Sequence, residues 1–184
     1  MQKTEYEKML AGELYDASDP ELMQMRINAR AIMHAYNQLP YDKLQREMLL
    51  QKLLGKIGKN IDIQTPFFCD YGNHIFIGDN FYANFNCVIL DCNYVRIGNN
   101  VMFGPNVQIY AAHHPVVAAE RIKGPELASP IIIEDNIWIG GGSIICPGVT
   151  IGENTTIGAG SIVVKNIPAN VVAVGNPCRI IRHL

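Results

Sequence analysis

The sequence predicts a mainly β protein: a parallel β-helix of six-residue repeats over 57–184, behind an N-terminal helical segment over 1–56. Two observations carry this. The first is a split in composition. Residues 1–56 hold 9 of the 12 Leu, 6 of the 7 Met and only 2 of the 16 Gly. Residues 57–184 hold 22 of the 24 Ile, 14 of the 16 Asn and 14 of the 16 Gly. Leu and Met favour helices, Ile favours strands, and Gly and Asn favour turns with positive φ. The second observation is a period. Ile133, Ile139, Ile145, Ile151, Ile157 and Val163 stand six apart, each preceded at two residues by a small or apolar side chain (Ile131, Ile137, Ser143, Val149, Thr155, Ser161). A fixed short period marks a solenoid.

The helical elements come first in the chain. Ser18-Asp19-Pro20-Glu21 reads as a helix start, with a capping residue, Pro in the first turn and then an acid. Leu22, Met25, Ala29, Ile32, Met33 and Tyr36 recur at three- and four-residue steps and form one apolar face; Leu39-Pro40 ends that helix. A second helix starts near Asp42 and runs through Leu44, Met48, Leu49 and Leu53 to Gly55. A shorter one is expected over Glu5–Leu14. The Leu and Met stripe is read as a packing face.

The period extends upstream of Ile133 with interruptions. Ile57, Ile63 and Cys69 are six apart, as are Ile77, Ala83 and Ile89, and Ile97, Phe103 and Ile109. The steps 69 to 77 and 89 to 97 are eight, and 109 to 133 is twenty-four. Each irregular step follows three regular positions, so three units close one triangular coil and the irregularities share one corner. Two of them are two-residue bulges; the third expels a loop of about 110–130. Five coils at the ~4.8 Å strand spacing give a rod about 24 Å tall. The helical segment is expected to cap its N-terminal end, and its flat faces invite self-association.

Composition excludes several classes. With 48% hydrophobic and 17% charged residues the chain is not a disordered, charge-rich one. A formal net charge of -2 and a pI near 6.2 exclude a dedicated nucleic-acid binder. No apolar run reaches the ~20 residues of a membrane span, and Met1–Glu7 lacks the apolar core of a signal peptide. Five cysteines, without a CxxC pair or Cys/His zinc spacing, imply a reduced, cytoplasmic setting.

The expelled loop carries His113-His114-Pro115. Long loops within compact repeats are usually functional, and histidine suits proton transfer near neutral pH. A solvated pair of loop histidines is the alternative. A zinc site built from His74, His113 and His114 is a further rival, but adjacent histidines match no H-x-x-x-x-H spacing, and the expectation is that no metal is required. There is no G-x-S-x-G elbow. Cys87 and Cys146 fall at or beside inward positions and read as core. Trp138, one before a repeat position, faces outward and calls for a subunit or ligand cover.

Lys8–Tyr15, Cys69-Asp70-Tyr71-Gly72-Asn73-His74-Ile75, Asn80–Asn86, His114-Pro115, Ile137-Trp138-Ile139-Gly140-Gly141, Cys146–Gly152 and Gly175-Asn176-Pro177-Cys178-Arg179 resemble the maltose/galactoside O-acetyltransferases over essentially the whole chain, nearest to the maltose branch. The resemblance implies a left-handed β-helix, a homotrimer with active sites between subunits, and acetyl-CoA as donor to a sugar hydroxyl by direct attack. It implies His114 as general base and Asn84 as oxyanion donor. Asp16, Asp70 and Tyr82 fall at positions that contact the acceptor. Gly141, Ala159, Val164, Lys165, Arg179 and Arg182 fall at positions that contact CoA, with Trp138 a further contact. Asp70 stands where galactoside enzymes carry a serine, and Cys92 where they carry an aspartate, so the acceptor is left open. An acetyltransferase for an antibiotic or cell-envelope sugar, and a non-catalytic β-helix scaffold, are the competing readings.

Overall fold

The computed structural model describes residues 3–184. From Lys56 onward the chain winds into stacked coils, each contributing one short strand to each of three parallel sheets. The first face stacks Ile77, Ile97, Ile133 and Ile151 in register. The second stacks Ile63, Ala83, Phe103, Ile139, Ile157 and Ala173. The third stacks Cys69, Ile89, Ile109, Ile145 and Val163. All of these side chains are buried, so the six-residue period is the period of the core. The hydroxyls that share the interior are satisfied by backbone: Ser143 Oγ donates to Gly158 O (3.1 Å) and Thr155 Oγ1 to Pro168 O (3.0 Å). Cys87 is fully buried and Cys146 half-buried beside Ile145.

The rod has a sixth coil where the repeat predicted five. After Val163 the step shortens to four, Ile167 bridges to Ile151, and Val171–Val174 extends the second face. Arg179–His183 then folds back antiparallel and closes that edge. The short step hides this coil from a search for sixes.

Turn chemistry differs between corners. Between the first and second faces, Asn60, Asn80, Asn100, Asn136, Asn154 and Asn170 all hold φ between 56° and 60°, the left-handed region that Asn tolerates better than most residues. Their side chains form a continuous ladder, each Nδ2 donating to the next Oδ1 at 2.8–3.0 Å. Between the third and first faces lie both bulges and the expelled loop. That loop leaves as an antiparallel pair, Ala112–His113 with Leu127–Ala128, and carries a short helix, Ala118–Arg121.

Three helices precede the rod: α1 (Glu5–Leu10), α2 (Pro20–Gln38) and α3 (Lys43–Leu53). The first is shorter than expected, because Ala11 caps it and Gly12 turns away at φ +72°. Asp19 caps α2 by accepting from the Glu21 and Leu22 amides. In α3 the inward positions are Arg46, Leu50 and Leu53, whereas Leu44 and Met48 are exposed. Leu50 and Leu53 set the rotational phase of that helix, and Arg46 falls on their face four residues earlier. Its guanidinium lies over the rings of Tyr36 and Tyr41 (5.6 and 5.0 Å).

The helices divide their work. α2 and α3 close the first coil: Tyr36 Oη donates to Ile63 O (2.5 Å), and Asn37 both donates to Phe67 O and accepts from Phe67 N (2.9 Å each). α1 lies instead along the irregular corner. Met9, Tyr15, Leu22, Tyr71, Cys92 and Ala128 form a second apolar cluster there, and the Tyr15 and Glu126 backbones pair in both directions (3.1 and 3.0 Å).

Candidate active site

The irregular corner gathers residues from four distant stretches of chain. His114 is exposed where the expelled loop departs. It lines a cleft of about 320 Å³ with Asp70 and Cys92 from the two bulges, Arg26 and Arg30 from α2, and Glu126 from the returning arm of the loop. The cleft shares Ala17, Arg26 and Glu126 with a wider one of about 840 Å³, bordered by Asp16 and Lys123.

Arg26, Glu126, Asp70, Cys92 and Asp16 are held by named partners. Arg26 donates to Tyr71 Oη (2.6 Å) and to Ala17 O (2.5 Å), bridging α2 to the first bulge. Tyr15 Oη donates to Glu126 Oε2 (2.8 Å). Cys92 Sγ donates to Asp70 Oδ2 (3.4 Å). Burial pushes the Asp70 carboxyl above the usual carboxylate range, while the Cys92 thiol and Arg26 pull it back. Asp16 is exposed, accepts from Ser18 N and Ser18 Oγ (2.8 and 2.7 Å), and is lowered by those bonds. His113 turns to Ser129 (Nε2···Oγ 3.1 Å); burial and then the neighbouring His114 lower its pKa.

His74 lies deep in the corner. Its Nδ1 donates to Asp91 O (2.7 Å), and its Nε2 meets Tyr6 Oη (3.2 Å). Both ring nitrogens are engaged, which takes it out of any zinc set with His113 and His114. Among the described residues no group of three His, Cys, Asp or Glu side chains could hold a metal ion.

The remaining predicted residues lie elsewhere. Asn84 sits at the corner between the second and third faces. Its Oδ1 accepts from Phe85 N (2.8 Å), and among the described residues its Nδ2 has no protein partner. Above it the same corner repeats as Gly104-Pro105, Gly140-Gly141-Gly142 and Gly158-Ala159-Gly160. A methyl group at Gly140 would stand 2.4 Å from Ala159 N, so the coils stack there backbone to backbone, whereas at Gly142 and Gly160 it would meet open space. Gly141 and Ala159 therefore belong to a bare main-chain column rising from Asn84. Tyr82 and Trp138 point outward from the second face, both paired with Met102; Trp138 is 53% exposed. Val164 and Lys165 follow the third face, and Arg179 and Arg182 are exposed on the closing strand.

Within one chain, His114 and Asn84 are thus not brought together. The third face separates their corners, and its strand between Asn84 and Asp91, Cys87–Leu90, is about 13 Å long at ~3.3 Å per residue. Sequence reasoning missed Arg26, Glu126, Asp91 and Asn93. The bulges were visible as eight-residue steps, which was the signal for the last two; Arg26 and Glu126 carry no local signal.

The family model for the maltose acetyltransferase hexapeptide capping motif matches residues 8–58, and that for the bacterial transferase hexapeptide (six repeats) matches residues 130–165. The galactoside O-acetyltransferase of Escherichia coli K12 is 43% identical over 179 residues, covering 97% of this chain and 88% of that protein. The crystal structure of a maltose O-acetyltransferase from Clostridium difficile 630 superposes with a TM-score of 0.97 at 49% identity, covering 99% of this chain and 98% of that one. A galactoside acetyltransferase in complex with coenzyme A superposes with a TM-score of 0.95 at 42% identity, covering 99% and 92%. The cap, the repeat and these relatives agree over nearly the full length: the chain belongs to the maltose/galactoside O-acetyltransferase family of hexapeptide-repeat acetyltransferases.

Proposed function

We propose that the protein moves the acetyl group of acetyl-CoA to a hydroxyl of a small sugar such as maltose or glucose, in a homotrimer whose active sites lie between subunits. The observation that carries this is the polar cleft at His114, with the Asp70 and Glu126 carboxyl groups and the Arg26 guanidinium around it. Carboxylates accept pairs of hydroxyl hydrogen bonds, and a guanidinium donates several. Asp16 and Tyr82 complete the acceptor set.

A sugar hydroxyl is a weak nucleophile until its proton leaves. His114 takes that proton, the hydroxyl oxygen attacks the thioester carbonyl, and the Asn84 amide donates to the oxyanion that forms. His114 then returns the proton to the thiolate of the departing CoA. No acyl-enzyme is needed, in keeping with cysteines that are buried or whose thiols burial holds above their ordinary range. The main-chain column at Gly141 and Ala159 suits an extended pantetheine arm, with Trp138 beside it. Val164 and Lys165 border it, and Lys165, Arg179 and Arg182 suit the phosphates. Since His114 and Asn84 stand at different corners, the reaction needs one corner of each of two neighbouring chains.

The Asp70–Cys92 pair also supports a second reading, an acetyltransferase for another hydroxyl acceptor, because it departs from the serine and aspartate of the galactoside enzymes. Acetyl-CoA turnover with maltose, glucose, a thiogalactoside and chloramphenicol, for wild type and His114→Ala, separates the readings. Turnover with the sugars that is lost in the variant supports the first; turnover with chloramphenicol alone supports the second; a variant equal to wild type overturns both.

A further inference from the structure

We propose that Asp91 is a positioning residue for the acceptor side of the site, acting through the bulge that carries Asp70. This rests on the reading of Asp70 as an acceptor-binding group. At the irregular corner the first bulge, Asp70–His74, is two residues longer than the repeat, so its amides depart from the ladder between coils. Asp91 replaces that ladder. Its side chain is fully buried, with Oδ1 accepting from Asp70 N (3.0 Å) and Tyr71 N (2.9 Å) and Oδ2 accepting from His74 N (3.3 Å). Its carbonyl accepts a hydrogen bond from His74 Nδ1 (2.7 Å). Ionised, as it is above about pH 7, the carboxylate offers about four acceptor sites and no donor, which fits three converging N–H groups; an amide would turn an N–H₂ group toward one of them.

The two residues that follow extend the arrangement. Cys92 Sγ donates to the Asp70 carboxyl (3.4 Å). Asn93 is buried and its Nδ2 reaches Met9 O, Leu10 O and Ala128 O (3.1, 3.2 and 3.3 Å), joining α1 and the base of the expelled loop. Three consecutive side chains of the second bulge thus hold the first bulge, the Asp70 side chain and the segment bearing Glu126 in one frame. None of the contacts of Asp91 reaches the main-chain column at the other corner, so its influence falls on the acceptor and not on the donor.

The test is steady-state kinetics of full-length Asp91→Asn, Asp70→Ala and the double variant, with both substrates varied and thermal unfolding recorded. A displaced acceptor group costs roughly ten- to hundredfold, so Asp91→Asn raises the acceptor KM by that factor and leaves the acetyl-CoA KM within twofold. In the double variant it adds little to the effect of Asp70→Ala. If both KM values rise together, or the two effects multiply in full, Asp91 is structural only and the proposal falls. If Asp70→Ala itself leaves the acceptor KM unchanged, the acceptor reading of Asp70 falls and takes the proposal with it. Should Asp91→Asn not fold, Asp91→Glu keeps the carboxylate but moves it by one methylene, and the same split between the two KM values decides.

Discussion

His114 and Asn84, the proposed base and oxyanion donor, are exposed and half-buried respectively, which makes their substitution informative. Removing a positioned base costs about 10²–10⁴-fold, and removing an oxyanion donor about 10²–10³-fold. His114→Ala and Asn84→Ala are therefore expected to lower kcat by those factors while acetyl-CoA binding, measured by calorimetry, persists. Asp91 and His74 give a pH prediction. Burial pushes Asp91 up to about 7, so between about pH 4 and 7 the folded chain holds a proton that the unfolded chain has released, and stability from this group is lost as pH rises. Burial lowers His74, so below about pH 6.5 the unfolded chain gains a proton that the folded one refuses, and stability is lost as pH falls. The two slopes oppose each other. Asp91→Asn leaves the His74 slope uncompensated, so its melting temperature is expected to drop more steeply from pH 7 to pH 5 than that of wild type. At this scale the sequence reveals a residue when its type is rare in its setting, as with His114 in an expelled loop. It does not reveal Arg26 or Glu126, which are ordinary surface types until α2 and the loop's return arm converge.

At the scale of elements, the corners are as decisive as the strands. The Asn ladder satisfies backbone strain and side-chain bonding at once, because each Asn holds positive φ and passes one hydrogen bond along the rod. Asn136→Ala puts a Cβ in that region without a polar side chain, at about 1–2 kcal/mol, and breaks two ladder bonds worth about 1 kcal/mol each. Urea unfolding is expected to show a loss of about 3–4 kcal/mol, and a smaller loss for Asn136→Gly, which relieves the backbone strain. The strands were legible because one inward residue per six is a strict rule. The helices were legible at their starts, where Asp19 and Asp42 cap, and less so along α3. There Leu44 and Met48 suggest a face that tertiary contacts of Leu50 and Leu53 override. The sixth coil escaped because the corner that lengthens to eight and twenty-four residues also shortens to four.

At the scale of the molecule, the proposed reaction gives one prism half a site at each of two corners. His114 and the Asp70 and Glu126 carboxyl groups, the proposed base and acceptor groups, sit at the irregular corner; Asn84, the proposed oxyanion donor, and the main-chain column sit across the third face. Low charge and an outward tryptophan are consistent with faces that meet a neighbour. The family could be read from the sequence because cap and repeat each carry local motifs. The division of the site between corners could not, since it depends on which face lies between residues thirty positions apart. The most direct test is subunit complementation: His114→Ala and Asn84→Ala chains, each nearly inactive alone, are mixed in equal amounts, unfolded, refolded together and assayed for acetyl transfer to maltose. If every site takes His114 from one chain and Asn84 from its neighbour, random assembly leaves one site in four intact, and activity returns to roughly a quarter of wild type. A mixture no more active than its components would contradict the account.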